Sequence, residues 1–166
     1  EVGRVTVVPR QGALGITHML KEEGFHSFTK TQLKEFVAIF LGGIVAEKVI
    51  FKEYESGGSS DLDMISKKVY SAYMTLGFSD SIGPIATKSF DSLSEKRKII
   101  LEDESSALVK EIFKETEDFL MSSKALLNEC AEELLKERSV SIETTSQWKI
   151  KLVSLIREME EKNKSS

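Results

Sequence analysis

One stretch of the chain carries the apolar spacing of a helix that is buried along one side. Apolar residues recur after Thr29 at intervals of three and four, which is the period of an amphipathic helix. They are Leu33, Phe36, Val37, Phe40, Leu41, Ile44 and Val45. Thr29 and Gln32 match the capping box, in which each side chain accepts a hydrogen bond from the backbone N–H of the other residue. The pattern predicts a helix that follows Thr29 and ends near Phe51.

Gly42 and Gly43 lie near the middle of this predicted helix. A glycine in a helix interior costs about 1 kcal/mol relative to alanine, and nothing in the local sequence calls for a turn there. We therefore expect another backbone to approach the helix closely at this pair.

Three later segments show the same helical period. They cover residues 60–76, 103–137 and 143–162. Ser60 resembles a helix start, and Gly77 is the residue type favoured just beyond a helix end. Ser122-Ser123 predicts a break in the second segment, because serine is a favourable N-cap. Residues 78–100 show no helical period, so we expect them to be irregular.

The first twenty residues have the composition of strands. Val5, Val7 and Val8 are β-branched, and the turn residues Pro9 to Gly12 follow them. A second strand is predicted from Ala13 to Leu20. The expected fold is mainly α with a small N-terminal β-unit, and 166 residues are enough for one domain with its own core.

Composition excludes several classes of function. A net charge of −4 leaves no basic excess for the phosphates of a nucleic acid. The single cysteine, Cys130, excludes an internal disulfide framework and a multi-cysteine zinc site, and its place in an apolar stripe predicts a core residue. No apolar run approaches the roughly 20 residues that a membrane-spanning helix needs, and no GxxxxGK[ST] phosphate loop is present.

Five short motifs occur in an order and spacing that resemble one known family. They are Val5-Thr6-Val7-Val8-Pro9-Arg10, Gly12-Ala13-Leu14-Gly15, Leu41-Gly42-Gly43, Ser56-Gly57-Gly58-Ser59-Ser60-Asp61-Leu62 and Gly77-Phe78-Ser79-Asp80-Ser81-Ile82-Gly83-Pro84. This pattern is similar to the peptidase domain of the FtsH family of ATP-dependent zinc proteases. The resemblance with specific motifs covers roughly residues 4–90, whereas the C-terminal helices over 103–162 agree with the family only in type and length.

The resemblance implies a zinc ligand at Asp61. In the family this ligand is an aspartate at the start of a helix after a Ser/Thr-Gly-rich loop, although the family has asparagine where this chain has Ser60. By itself, an aspartate in a first helical turn is also explained by the helix dipole. The family's HExxH motif, which supplies two histidine ligands and the catalytic glutamate, does not occur in these residues and is expected just upstream of Glu1.

Two further histidines do not replace that motif. His18 and His26 are eight residues apart and share no helical turn. Neither matches a family ligand position, so both are interpreted as ordinary polar side chains.

Glu47 matches the first glutamate of the family pattern L-G-G-R-x-A-E-E, which packs near the metal site. The resemblance implies that Glu47 orients a zinc ligand from beside the site, and the alternative is an exposed helix charge. Ile44 replaces the arginine of the pattern and Lys48 replaces its second glutamate.

A strand beside the cleft is implied as the surface that binds substrate. It comprises Ala13, Leu14, Gly15, Ile16 and Thr17. An edge strand can pair with an extended chain through main-chain hydrogen bonds with little side-chain selectivity. The alternative is an ordinary core strand with glycine at a turn.

The resemblance implies a membrane-anchored parent protein that degrades unfolded membrane and soluble proteins in a homo- or hetero-hexamer. Zinc would be its metal, and ATP would be bound by an AAA module outside this chain. The peptidase domain itself is expected to be soluble, and inactive without HExxH. The alternative is a catalytically inactive FtsH-like subunit that serves in assembly or in an unfoldase complex.

Overall fold

The structure is a computed structural model that describes residues 2–9, 15–20 and 29–164. The described residues form five α-helices, two short 3-10 turns and three short strands, so the predicted mainly α fold with a small β-unit is confirmed. The strands are β1 (Val2–Thr6), β2 (Ile16–Met19) and β3 (Ser139–Val140). The helices are α1 (Lys30–Phe51), α2 (Ser59–Thr75), α3 (Glu95–Ser122), α4 (Lys124–Glu137) and α5 (Ile142–Lys164).

The chain divides into two compact units. The sheet unit comprises Glu1–Phe25 and Ser122–Ser166, and the helical unit comprises His26–Met121. The assignment of residues 1–166 to one domain stays a prediction. None of the described helices is long and apolar enough to cross a membrane.

The sheet unit contains an antiparallel sheet in the order β2-β1-β3. The sequence did not predict β3, which has only two residues and pairs Val140 with Val5 and Ser139 with Thr6. A hydrogen bond from the Thr145 hydroxyl to the Val2 carbonyl at 2.8 Å ties α5 to β1. Cys130 on α4 is half-buried rather than fully in a core, and α4 has no fully buried residue.

The helical unit contains the hydrophobic core. Three helices contribute to it, together with Leu93 from the connection between α2 and α3. The core residues are Leu33, Val37, Leu41, Val45, Val49, Ile65, Val69, Ala72, Tyr73, Leu93, Leu101, Leu108 and Ile112. The helical period of α1 and α2 therefore marks the faces that are buried.

The capping box of α1 is confirmed. The Gln32 N–H donates to Thr29 Oγ1 at 3.1 Å, and the Thr29 N–H donates to Gln32 Oε1 at 2.9 Å. The expectation for Gly42 and Gly43 is wrong for the part of the chain that the structure describes. A Cβ at either position would meet no described atom within 4 Å, so no described backbone packs there.

The start of α2 differs from the prediction. Its N-cap is Gly58 rather than Ser60, because the 3-10 turn Ser56–Gly58 leads directly into the helix. Its end is as predicted, since Gly77 adopts a φ of +68° just after the C-cap. A Cβ at Gly77 would lie 2.8 Å from Pro84 Cα. Glycine is therefore required there both by its φ and by the close approach of the chain.

The third helix begins eight residues earlier than the pattern predicted, at Glu95 instead of Asp103. Its first turn is highly charged and shows no apolar period. The Ser94 carbonyl accepts from the Lys98 N–H at 3.0 Å, and the Lys98 side chain pairs with Glu95 at 2.7 Å. The predicted break at Ser122-Ser123 is confirmed, because α3 ends at Ser122 and α4 begins at Lys124.

Candidate functional site

The candidate site lies where the connection from α1 leads into α2. Asp61 is the third residue of α2 and stands in its first turn, as the motif predicted. Its side chain is half-buried, and among the described residues no hydrogen bond or ion pair engages its carboxylate. The first turn of a helix is a favourable place for a negative charge because of the helix dipole. Asp61 therefore offers a carboxylate oxygen to a ligand that approaches this helix end.

Glu47 is hydrogen-bonded to this connection. Its Oε2 accepts a hydrogen bond from the backbone N–H of Glu55 at 3.0 Å. Glu55 is the residue that precedes the 3-10 turn before α2. The Glu47 carboxylate thereby ties the connection to α1 at Glu55, which lies six residues before Asp61.

A second contact fixes the end of the same connection. Ile44 of α1 is 5% exposed, and its side chain lies against Gly58, the N-cap of α2. A Cβ at Gly58 would be 2.4 Å from Ile44 Cγ1. Nothing in the sequence singles out Gly58. The only signal was its place in a glycine pair, which does not distinguish it from Gly57.

Lys48, the other departure from the family pattern, has a structural role within the helical unit. Its ammonium pairs with Glu117 at 3.0 Å and lies 4.8 Å from the centroid of the Phe113 ring. Both partners belong to α3, and a cation near an aromatic face is attracted by the ring quadrupole. Lys48 therefore links α1 to α3 and makes no recorded contact with Asp61.

The described residues supply fewer donors than a zinc ion needs. A catalytic zinc site takes three protein ligands and leaves one position open. Within residues 2–9, 15–20 and 29–164, no group of three or more His, Cys, Asp or Glu side chains could hold a metal. His18 is exposed on β2, and His26 lies outside the described residues. Asp61 thus fits one ligand position, and the described residues do not form a zinc site by themselves.

The predicted substrate-binding strand is only partly within the described residues. Ala13 and Leu14 lie outside them, whereas Gly15 precedes β2 and Ile16 and Thr17 begin it. β2 is an edge strand, since the sheet order places β1 on one side of it and no described strand on the other. Such an edge presents unpaired backbone groups to an extended chain.

Gly15 stands close to the backbone of β1. A Cβ at Gly15 would lie 2.9 Å from the Thr6 carbonyl oxygen. Glycine therefore lets the chain enter β2 beside β1, where Ile16 pairs with Thr6 and Thr17 with Val5. This register leaves Thr17, His18 and Met19 exposed.

Comparisons with known proteins agree on one family. The description "Peptidase family M41" belongs to the family model that matches residues 1–147. An ATP-dependent zinc metalloprotease FtsH of Rubrobacter xylanophilus is 30% identical over 86% of this chain and 24% of its own length. ATP-dependent zinc metalloprotease FtsH 2 of Petrotoga mobilis is 35% identical over 74% of this chain and 20% of its own length. The FtsH of Nitrosococcus oceani is 28% identical over 84% of this chain. The chain spans about a quarter of the length of these curated relatives.

Proposed function

The chain belongs to peptidase family M41, and from that premise we propose that it is most of the peptidase domain of an ATP-dependent zinc metalloprotease. Residues 1–166 all belong to this one domain in the proposal. Its relatives carry this activity in their names. The chain matches only about a quarter of their length, so the activity of the whole protein is part of the proposal.

The observation that carries the proposal is the half-buried Asp61 carboxylate, which has no recorded partner among the described residues. Asp61 stands in the first turn of α2, the position at which the resemblance implies a ligand, and its carboxylate is of a chemical type that binds zinc. We assign it as one zinc ligand of a site whose two histidines and general base come from an HExxH helix upstream of Glu1. A zinc ion held in that way lowers the pKa of a bound water.

In this proposal, residues of this chain position the zinc ligand Asp61 and bind the substrate. Glu47 holds the connection that leads to Asp61 through the Glu55 N–H. The β2 edge pairs with an extended, unfolded polypeptide through its backbone, with Gly15, Ile16 and Thr17 at the start of the strand. An AAA module of the same protein supplies the unfolded chain at the expense of ATP. The whole protein is membrane-anchored and hexameric in this proposal.

The decisive experiment compares the full-length protein with its Asp61→Ala variant. We expect the variant to lose casein cleavage and to bind less zinc, measured by elemental analysis of dialysed protein. Asp63→Ala is the matched control, because Asp63 is exposed and pairs only locally with Lys67. Full cleavage and full zinc content in Asp61→Ala would overturn the assignment of the ligand.

A catalytically inactive subunit is the second candidate, and the two departures from the family pattern favour it. Ile44 packs against Gly58 and Lys48 pairs with Glu117, so α1 lacks the arginine and the second glutamate of the family pattern. The full-length protein distinguishes the two candidates. Zinc binding with ATP-dependent casein cleavage supports the protease, whereas ATP hydrolysis without zinc or cleavage supports the inactive subunit.

A further inference from the structure

Ile44 and Gly58 interlock where the connection from α1 reaches α2. A Cβ on Gly58 would lie 2.4 Å from Ile44 Cγ1 and 2.7 Å from Ile44 Cδ1. Distances below 3.0 Å essentially never occur for real Cβ atoms. Because Ile44 is only 5% exposed in the middle of α1, a shift of its side chain has to be taken up by the residues packed around it. The isoleucine side chain thus occupies the space that the missing Cβ of Gly58 leaves open.

Packing, and not backbone freedom, is the reason for glycine at this position. Gly58 has a φ of −79° and a ψ of 5°, which other residues also adopt. Its neighbour Gly57 has no described atom within 4 Å of the place where a Cβ would stand. Of the two adjacent glycines, Gly58 is therefore the one at which the described residues leave no room for a Cβ unless Ile44 shifts.

The interlock lies one helical turn from Asp61. Gly58 is the N-cap of α2, and Asp61 is the third residue of the helix. Because both belong to the first turn, a displacement of the Gly58 backbone also displaces Asp61. A Cβ on Gly58 would have to move by about 1 Å to reach the ordinary contact range, which begins at 3.4 Å. Bonds from zinc to carboxylate oxygen are only about 2.0–2.2 Å long. A displacement of that size takes a carboxylate oxygen out of bonding distance.

We propose that Ile44 and Gly58 are positioning residues that fix the Asp61 carboxylate at the height on α2 where it bonds zinc. This inference rests on the proposed function of Asp61. It is particular to this chain, because the family pattern has arginine at the position of Ile44. The contact accounts for how the start of α2 is held against α1 although α1 has isoleucine in place of the family's arginine.

The test compares zinc affinity in the full-length wild-type protein and five variants, by competition with a chelating dye. Gly58→Ala is expected to weaken zinc binding by about 10- to 100-fold, the usual loss when a residue that supports a ligand is changed. Gly57→Ala is the matched control and is expected to bind as the wild type does. The double variant Ile44→Ala/Gly58→Ala, which removes the opposing Cγ1, is expected to bind as tightly as Ile44→Ala alone.

The outcomes separate this inference from the function on which it rests. If Asp61→Ala keeps its zinc, the ligand assignment fails. If Asp61→Ala loses zinc while Gly58→Ala binds like Gly57→Ala, only the interlock fails. If Gly58→Ala does not fold, recovery of both folding and zinc binding in the double variant supports the interlock, and no recovery overturns it.

Discussion

The Glu47 carboxylate accepts the backbone N–H of Glu55 at 3.0 Å, across the connection that joins α1 to α2. Eight residues separate the two along the chain, and the bond closes the loop between them. Only the 3-10 turn Ser56–Gly58 separates Glu55 from α2. The hydrogen bond to Glu55 therefore restricts the position of Asp61 at the start of α2. Glu47, the glutamate that matches the family motif, thus forms its hydrogen bond with a backbone N–H in this chain.

Removal of this acceptor is expected to destabilise the chain. Glu47→Ala should lower the free energy of unfolding by about 1 kcal/mol, since a single hydrogen bond at a partly exposed site contributes roughly that amount. Glu47→Gln should lose less, because its amide oxygen can still accept the N–H. Urea denaturation followed by circular dichroism measures both changes. Glu53→Ala is the control at an exposed position of the same connection, and an equal loss in this control would contradict the assigned role.

The capping box at the start of α1 gives a second prediction. Thr29→Ala removes the acceptor for the Gln32 N–H, which is bonded at 3.1 Å. Loss of such a cap costs about 1 kcal/mol, so the urea midpoint should fall by a corresponding amount. Thr31→Ala, at an exposed position inside the same helix, removes the same atoms without a cap. A midpoint that falls equally in both variants would show that the box contributes nothing.

Local signals in the sequence account for the parts of the fold that were predicted. The capping box and the apolar period of α1 both act within a few residues, so they could be read directly. The start of α3 was missed because Glu95 and Lys98 hold it together through charge and through the Ser94 carbonyl. β3 was missed because two residues give no strand pattern, and its pairing with β1 depends on residues more than 130 positions away.

In the candidate site, too, the local feature could be predicted from the sequence and the contact between distant residues could not. Asp61 could be placed at a helix start because its motif lies within one loop. The contact between Ile44 and Gly58 joins residues fourteen positions apart and depends on how two helices pack. Spacing along the sequence does not report such a contact, so only the structure distinguishes Gly58 from Gly57.

Two glycines predict opposite effects of the same substitution. Gly42→Ala should raise the free energy of unfolding of the 166-residue chain by about 1 kcal/mol, because alanine is the better helix former and a Cβ there meets no described atom within 4 Å. Gly77→Ala should lower it by more than 1 kcal/mol, since φ is +68° and the Cβ would stand 2.8 Å from Pro84 Cα. Thermal and urea unfolding measure both changes. A loss of stability in Gly42→Ala would indicate that another segment packs on this face of α1.

A carboxylate on α3 predicts how stability depends on pH. Burial by itself raises the pKa of Glu104, but hydrogen bonds from Ser81 and Ser79 outweigh it and leave the pKa below the ordinary value of 4.5. The Ser81 N–H donates to Glu104 Oε1 at 2.9 Å, which ties α3 to the turn after α2. The folded state therefore favours the ionised carboxylate more than the unfolded state does.

The sign of the effect follows from this lowered pKa. The contribution of Glu104 is fully present above the unfolded-state value near 4.5, and it is lost as the pH falls through the lower folded-state value. The free energy of unfolding of the wild type should therefore exceed that of Glu104→Gln most at pH 7, with the gap narrowing between pH 5 and pH 3. Urea unfolding at several pH values measures the gap. Glu102→Gln removes an exposed carboxylate from the same helix and is the matched control. A gap that stays constant or widens as the solution is acidified would contradict the role of the bonds from Ser79 and Ser81.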